Sequence, residues 1–230
     1  MRGVLDDIVR IVPAGDSALL VELPSLLDPV INAGVIALAE AIERRCGRTL
    51  LDIVAGYCTV TLYFDALLLD PAWLEAEVRS IAAGIDLDDS SEGALVSVPV
   101  CYGGEFGPDL ADVAAYGGCS EEEAVRLHAA ETYRVFLVGF VPGFAYMAKV
   151  DERIAAPRRA TPRTAVPVGS VAVAGGQTGV YPAVTPGGWN IIGRTPLRPY
   201  DPVRHEPFLF KAGDRVRFLP IDRAEFDRAR

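Results

Sequence analysis

Ile31, Val35, Leu38 and Ile42 recur at spacings of four, three and four residues, one apolar stripe along a helix. Asp28 stands ahead of the stripe as an N-cap and Pro29 at the first helical position, where a missing N–H costs nothing. Gly47 follows its end. Residues 10–13 and 18–23 alternate as strands before this helix, around the turn A-G-D at 14–16, and residues 51–55 and 59–64 do so after it. Asp70-Pro71 repeats the cap-and-proline start for a second helix, with Leu74, Val78 and Ile81 on one face. The order ββαββα predicts a small antiparallel sheet covered on one face by two helices.

Residues 85–94, I-D-L-D-D-S-S-E-G-A, break the pattern: they are acidic, serine-bearing and without apolar period. They read as a linker between a domain of residues 1–90 and a domain of residues 91–230. Beyond them come a strand at 95–100, a short helix at 108–116 and a helix across His128, opened by a capping box of Ser120 and Glu123. From Tyr133 onward the pattern is almost wholly β, in short runs punctuated by Gly and Pro and ending in D-R-V-R-F-L-P. That half is expected to be a β-barrel or a compact sandwich, and the fold class α+β.

The net charge of −9 excludes nucleic acid as the main partner, since phosphates require clustered Lys and Arg. Only residues 153–163 are locally basic, which suits a small anion better than a polymer. No apolar run approaches the ~20 residues of a membrane span, and the N-terminus is acidic where a signal peptide is apolar. The chain is expected to be soluble and cytoplasmic. Its four cysteines, Cys46, Cys58, Cys101 and Cys119, form no C-x-x-C pair and read as free thiols, and with two histidines no metal site is expected. Phosphate-loop, dinucleotide-binding and serine-elbow motifs are absent.

The remaining chemistry lies in the Gly-, Pro- and aromatic-rich second half. Arg158, Arg163 and Arg194 each adjoin Pro, Gly or Thr, so a stiff backbone either aims a guanidinium fork at an anion or solvates a rim. Gln177, Thr178 and Asn190 either orient an amide group or form turns. Phe144, Tyr146, Tyr181 and Trp189 wall an apolar pocket or belong to the core. His128 is a proton-transfer candidate or part of a packed helix face. Gly187 and Gly188 bring backbone N–H groups to an anion or simply turn the chain.

These blocks carry a family resemblance. G-D-S-A-L-L-V-E at 15–22, V-P-V-C-Y-G-G-E-F-G-P-D-L at 98–110 and Y-R-V-F-L-V-G-F-V-P-G-F-A-Y-M at 133–147 lead into P-R…P-R-T-A-V-P-V-G-S-V and P-G-G-W-N-I-I-G-R-T-P. The chain resembles the B component of bacterial 5-oxoprolinase, a family also called allophanate hydrolase subunit 1 and including the sporulation-kinase inhibitor Kip-I. Ala66 and Cys58 depart from the usual pattern, both outside the suspected pocket. The resemblance implies a cyclophilin-like C-terminal barrel and a carboxyltransferase-like module completed by the C component, which is allophanate hydrolase subunit 2-like. A third polypeptide, the A component, joins them to open 5-oxo-L-proline to L-glutamate, with ATP as co-substrate of the complex. On that reading Arg158, Arg163 and Arg194 handle anionic groups, Gln177 and Asn190 orient the amide, and Tyr146, Tyr181, Gly188 and Trp189 shape the pocket, with His128 for proton transfer. Replacing Arg163 is then expected to remove activity without unfolding the barrel. A urea-carboxylase-type or allophanate hydrolase partner subunit and a histidine-kinase inhibitor are the alternatives.

Overall fold

The computed structural model describes residues 5–87 and 93–229. The chain divides into two compact units, Met1–Glu92 and Gly93–Arg230. Residues 88–92, the middle of the expected linker, lie outside the described residues.

The first unit follows the expected element order. Strands β1 (Arg10–Pro13) and β2 (Ala18–Glu22) precede helix α1 (Pro29–Cys46), and β3 (Asp52–Ala55) and β4 (Thr59–Tyr63) precede helix α2 (Pro71–Ala82). The strands form one sheet in the order β1-β2-β4-β3, with every neighbouring pair antiparallel. Both helices start as their sequences dictate. The Asp28 carboxylate accepts from the N–H groups of Val30 and Ile31, and the Asp70 carboxylate from that of Ala72. The helical stripe of Val35, Leu38 and Ile42 packs with Leu74, Val78 and Ile81 against Leu19, Val21, Val60 and Leu62 of the sheet. Burying each such side chain contributes about 1.5–3 kcal/mol.

The second unit is a closed seven-stranded barrel, so of the two expected β architectures the barrel is observed. Its elements are β5 (Leu95–Tyr102), α3 (Leu110–Tyr116), α4 (Glu121–Ala130), β6 (Thr132–Val138), β7 (Ala145–Ala148), β8 (Arg163–Val166), β9 (Ser170–Ala174), β10 (Gln177–Val180), β11 (Thr185–Gly187), β12 (Asn190–Arg194), β13 (Arg215–Pro220) and α5 (Arg223–Arg228). Around the barrel the order is β10-β7-β6-β13-β5-β12-β9, while β8 and β11 form a separate two-stranded ribbon. The pair β5–β13 is parallel and the other barrel pairs are antiparallel.

Two local expectations are corrected. Ser120 caps α4 by accepting from the Glu123 N–H, but the Glu123 carboxylate turns to Arg126 and Arg153 instead of closing a box. The complete box belongs to α5, where Asp222 and Glu225 exchange both hydrogen bonds. That helix, and a short 3-10 turn at Glu152–Ile154, interrupt a half expected to be almost wholly β.

The barrel wall is buried on both faces along β9, and this positions the site. Val171 and Val173 join the larger core with Val98, Val135, Met147 and Phe218. Ala172 and Ala174, on the alternate face, join a smaller core with Phe144, Tyr181, Trp189 and Ile191. The small alanine side chains leave room on that face for three large rings.

Candidate functional site

On this outer face Phe144 is the hub of an aromatic cluster. Its ring meets those of Tyr146, Tyr181 and Trp189 at centroid distances of 4.7, 5.1 and 5.4 Å, each in edge-on geometry. Two glycines make the arrangement possible. A Cβ on Gly179 would stand 3.1 Å from the Phe144 ring and 2.8 Å from the Ala145 carbonyl, and one on Gly187 would run into the Tyr181 hydroxyl. Phe140 sits at the rim with a left-handed φ of 71°, 63 % exposed, its ring edge-on to Phe144.

These rings enclose a pocket of about 340 Å³, lined also by Arg158, Pro162, Pro186, Gly187 and Gly188. Among the described residues no carboxylate lines it. Burial pushes the Tyr146 and Tyr181 phenols above their ordinary range, opposed at Tyr146 by the Arg158 charge and at Tyr181 first by a hydrogen bond from the Trp189 main chain and then by the Arg158 charge. Both therefore keep their O–H protons at neutral pH. The pocket offers a ligand aromatic walls, two phenols and one cation.

The cation is delivered by a strap, residues 156–162, bonded to the barrel at successive points. The Gly175 N–H donates to the Ala156 carbonyl, Asn190 Nδ2 donates to the Pro157 carbonyl at 2.8 Å, and the Arg159 N–H donates to the Gly188 carbonyl at 2.7 Å. Arg158 lies between those last anchors, exposed, with no hydrogen-bond or ion-pair partner among the described residues. It also lines a second cleft of about 430 Å³ on the strap, with Asp112, Tyr116, Thr161 and Asn190.

The other arginines of the basic stretch are occupied. Arg153 pairs with Asp151 and Glu123. Arg159 Nη1 donates to Asp109 at 2.7 Å, and both terminal nitrogens of Arg163 donate to the same carboxylate at 2.8 Å. The Ile191 N–H supplies a further bond to it at 2.7 Å. Asp109 is 2 % exposed. The Arg163 guanidinium, held above its ordinary range by this carboxylate, is thus committed to the fold. The expectation that it grips a ligand anion, and that its loss spares the barrel, gives way to this bidentate pair.

Asn190, Gln177 and Arg194 do not line the pocket. Asn190 spends its amide N–H groups on the Pro157 and Val173 carbonyls, holding the strap rather than a substrate amide. Gln177 starts β10, opposite Ala148 and Ala174, away from the lining. Arg194 stacks on Phe106 at 5.1 Å and borders a different cleft with Arg198, Thr195 and Phe226. Gly187 and Gly188 line the pocket, but neither has the positive φ that a backbone nest requires.

His128 lies in the larger core beneath the opposite face of the wall, fully buried. Its Nδ1 faces the Tyr102 hydroxyl at 2.7 Å and its Nε2 the Thr178 hydroxyl at 2.8 Å. Thr178 donates its own proton to the Ala172 carbonyl, so Nε2 carries the imidazole proton and Nδ1 accepts from Tyr102. Both nitrogens are satisfied in the neutral ring, and burial lowers the pKa to about 3. This is the packed-face alternative, not a proton-transfer group at the pocket. The consequence is a stability dependence on pH. Because the folded pKa lies below the unfolded value, the unfolded chain takes up the proton first, and stability falls as pH drops below about 6.5. Between pH 7 and 5 the His128 contribution is about 2 kcal/mol. Urea unfolding is expected to show that much more loss in wild type than in His128→Gln; equal losses would contradict it.

Asp109 and Phe140 are functional candidates that the sequence reading missed. Asp109 sits in the G-G-E-F-G-P-D-L block, where it reads as a helix start, and its signal is the arginine excess at 153–163 that needs a buried counter-charge.

Residues 9–210 match the family model described as carboxyltransferase domain, subdomain C and D. The chain belongs to this carboxyltransferase-domain family. It is 37 % identical over 222 residues to the B component of 5-oxoprolinase from Bacillus subtilis (strain 168), covering 92 % of each chain. The crystal structure of TTHA0988 superposes with a TM-score of 0.80 at 37 % identity over 94 % of this chain, which spans 40 % of that longer one. The Kluyveromyces lactis urea amidolyase shares the fold, with a TM-score of 0.77 at 19 % identity over 96 % of this chain and 15 % of its own. This chain thus spans only part of the length of each of these two neighbours. Among the described residues no helix is long and apolar enough to cross a membrane.

Proposed function

We propose that this chain is a non-autonomous subunit of an ATP-dependent 5-oxoprolinase, working with the A component and the allophanate hydrolase subunit 2-like C component, and that its aromatic pocket holds 5-oxo-L-proline. The observation that carries the reading is Arg158, the arginine of the basic stretch left without a carboxylate, aimed into a pocket of rings and phenols. The substrate is a flat five-membered lactam with one carboxylate. Its ring suits the faces of Phe144, Tyr146 and Trp189, its carboxylate the Arg158 fork, and its amide the phenols of Tyr146 and Tyr181. The name of the Bacillus relative supports the same reading.

An unstrained amide resists water, which is why ATP is needed. Transfer of the γ-phosphoryl group to the lactam oxygen makes the carbon electrophilic. Water then adds, the C–N bond breaks with a proton going to nitrogen, and hydrolysis of the acyl phosphate releases phosphate and glutamate. Negative charge accumulates at the lactam oxygen, and in this proposal the groups that stabilise it lie with the partners, Arg158 being engaged by the substrate carboxylate. The pocket's single cation suits one carboxylate rather than a triphosphate, so in this proposal ATP is a co-substrate of the complex and its binding groups lie with the partners. The protein acts in the cytoplasm on this reading.

The test is glutamate release from 5-oxo-L-proline and ATP by this chain alone and then with the A and C components. Activity only in the complete mixture is expected. A stable complex with the C component that turns over no 5-oxo-L-proline, even with the A component added, would overturn the reading and favour a urea-type or regulatory role.

A further inference from the structure

We infer that Asp109 is a positioning residue, forming with Arg159 and Arg163 a buried clamp that aims Arg158 into the aromatic pocket. Four elements meet at its carboxylate: the turn before α3 that carries Asp109 itself, the strap through Arg159, the start of β8 through Arg163, and β12 through the Ile191 N–H. The Asp109 N–H returns a bond to the Ile191 carbonyl at 2.9 Å, so this turn is fixed to β12 in both directions. Arg159 reaches inward to the clamp while its neighbour Arg158 stands where the pocket and the second cleft meet and lines both. Fixing one therefore sets the direction of the other. Neutralising part of the Arg159 and Arg163 charge also keeps the pocket's cation the one on Arg158.

A strap held only by the main-chain bonds of Ala156, Pro157 and Arg159 would leave the Arg158 side chain free to leave the pocket for the second cleft alone. The clamp makes the pocket the preferred direction, and preorganisation of this kind improves binding by lowering the ordering cost.

The clamp is read from geometry, while 5-oxo-L-proline as its ligand rests on the function proposed above. The test uses calorimetric titration of the full chain with 5-oxo-L-proline and, separately, with benzoate, a flat monocarboxylate that needs only rings and one guanidinium. Removing Asp109 endangers the fold, so Arg159→Gln is the informative variant, since Arg163 still pairs with Asp109. It is expected to weaken binding about 10-fold, with Arg159→Lys recovering part of the loss. In Arg158→Ala the further change Arg159→Gln is expected to cost nothing, because the clamp acts through Arg158. Unchanged affinity in Arg159→Gln, or additive losses in the double variant, would overturn the inference. So would a wild-type chain that binds neither carboxylate. Binding of benzoate but not 5-oxo-L-proline would sink the proposed substrate and leave the clamp to be judged on benzoate.

Discussion

Arg158→Ala is expected to lower kcat/KM of the reconstituted oxoprolinase by about 100-fold while leaving the unfolding midpoint of the chain unchanged. A charge-assisted, bidentate hydrogen bond to a carboxylate contributes about 1.5–3 kcal/mol, and about 2.7 kcal/mol is a factor of about 100. The fold should not register the change. Arg158 is exposed, and no hydrogen bond or ion pair joins it to the described residues. Arg158→Lys keeps the charge without the fork and is expected to fall between the two. Measured kcat/KM within about threefold of wild type in Arg158→Ala would remove the residue from the site.

The second large effect is on stability. Asp109→Ala is expected to destabilise the second unit by about 3–5 kcal/mol, the cost of breaking a buried ion pair from one side. The carboxylate is 3 % exposed, whereas the Arg159 and Arg163 side chains are 32 % and 26 % exposed. Partial exposure lets water recover some of the two arginines' solvation, but the Ile191 N–H has no such recourse. Arg163→Ala is milder, because Arg159 and the Ile191 N–H remain on the carboxylate. Urea unfolding of Asp109→Ala decides the matter, and a loss below about 1 kcal/mol would contradict a clamp at this position.

The contrast between these residues explains what the sequence could and could not reveal. The α1 stripe and both Asp-Pro helix starts are set by interactions within a few residues, so they and the element order of the first unit read directly from spacing, whereas the pairing of β2 with β4 joins segments far apart in sequence. The aromatic pocket is half legible: Phe144, Tyr146, Tyr181 and Trp189 stand in Gly- and Pro-rich runs, but the sequence leaves pocket and core both open, with core the commoner role, and only the alanines that β9 places beneath the rings make room for them. Arg158, Arg159 and Arg163 look alike in sequence. What separates them is a carboxylate some fifty residues upstream, Asp109, which claims two and leaves one. His128 poses the same problem, since Tyr102 and Thr178, its partners on β5 and β10, are distant in sequence. The Ser120 box does not close because Arg126, one turn on, and Arg153, thirty residues on, compete for the Glu123 carboxylate.

The central claim is that the pocket recognises a lactam through its carboxylate. Calorimetric titration of the chain with 5-oxo-L-proline and with 2-pyrrolidinone, the same ring without the carboxylate, tests it most directly. Saturable binding of the first is expected, weakened about 100-fold but still measurable in Arg158→Ala, and binding of the second weaker than the first by a similar factor. Equal affinity for the two, or binding that survives Arg158→Ala unchanged, would contradict it.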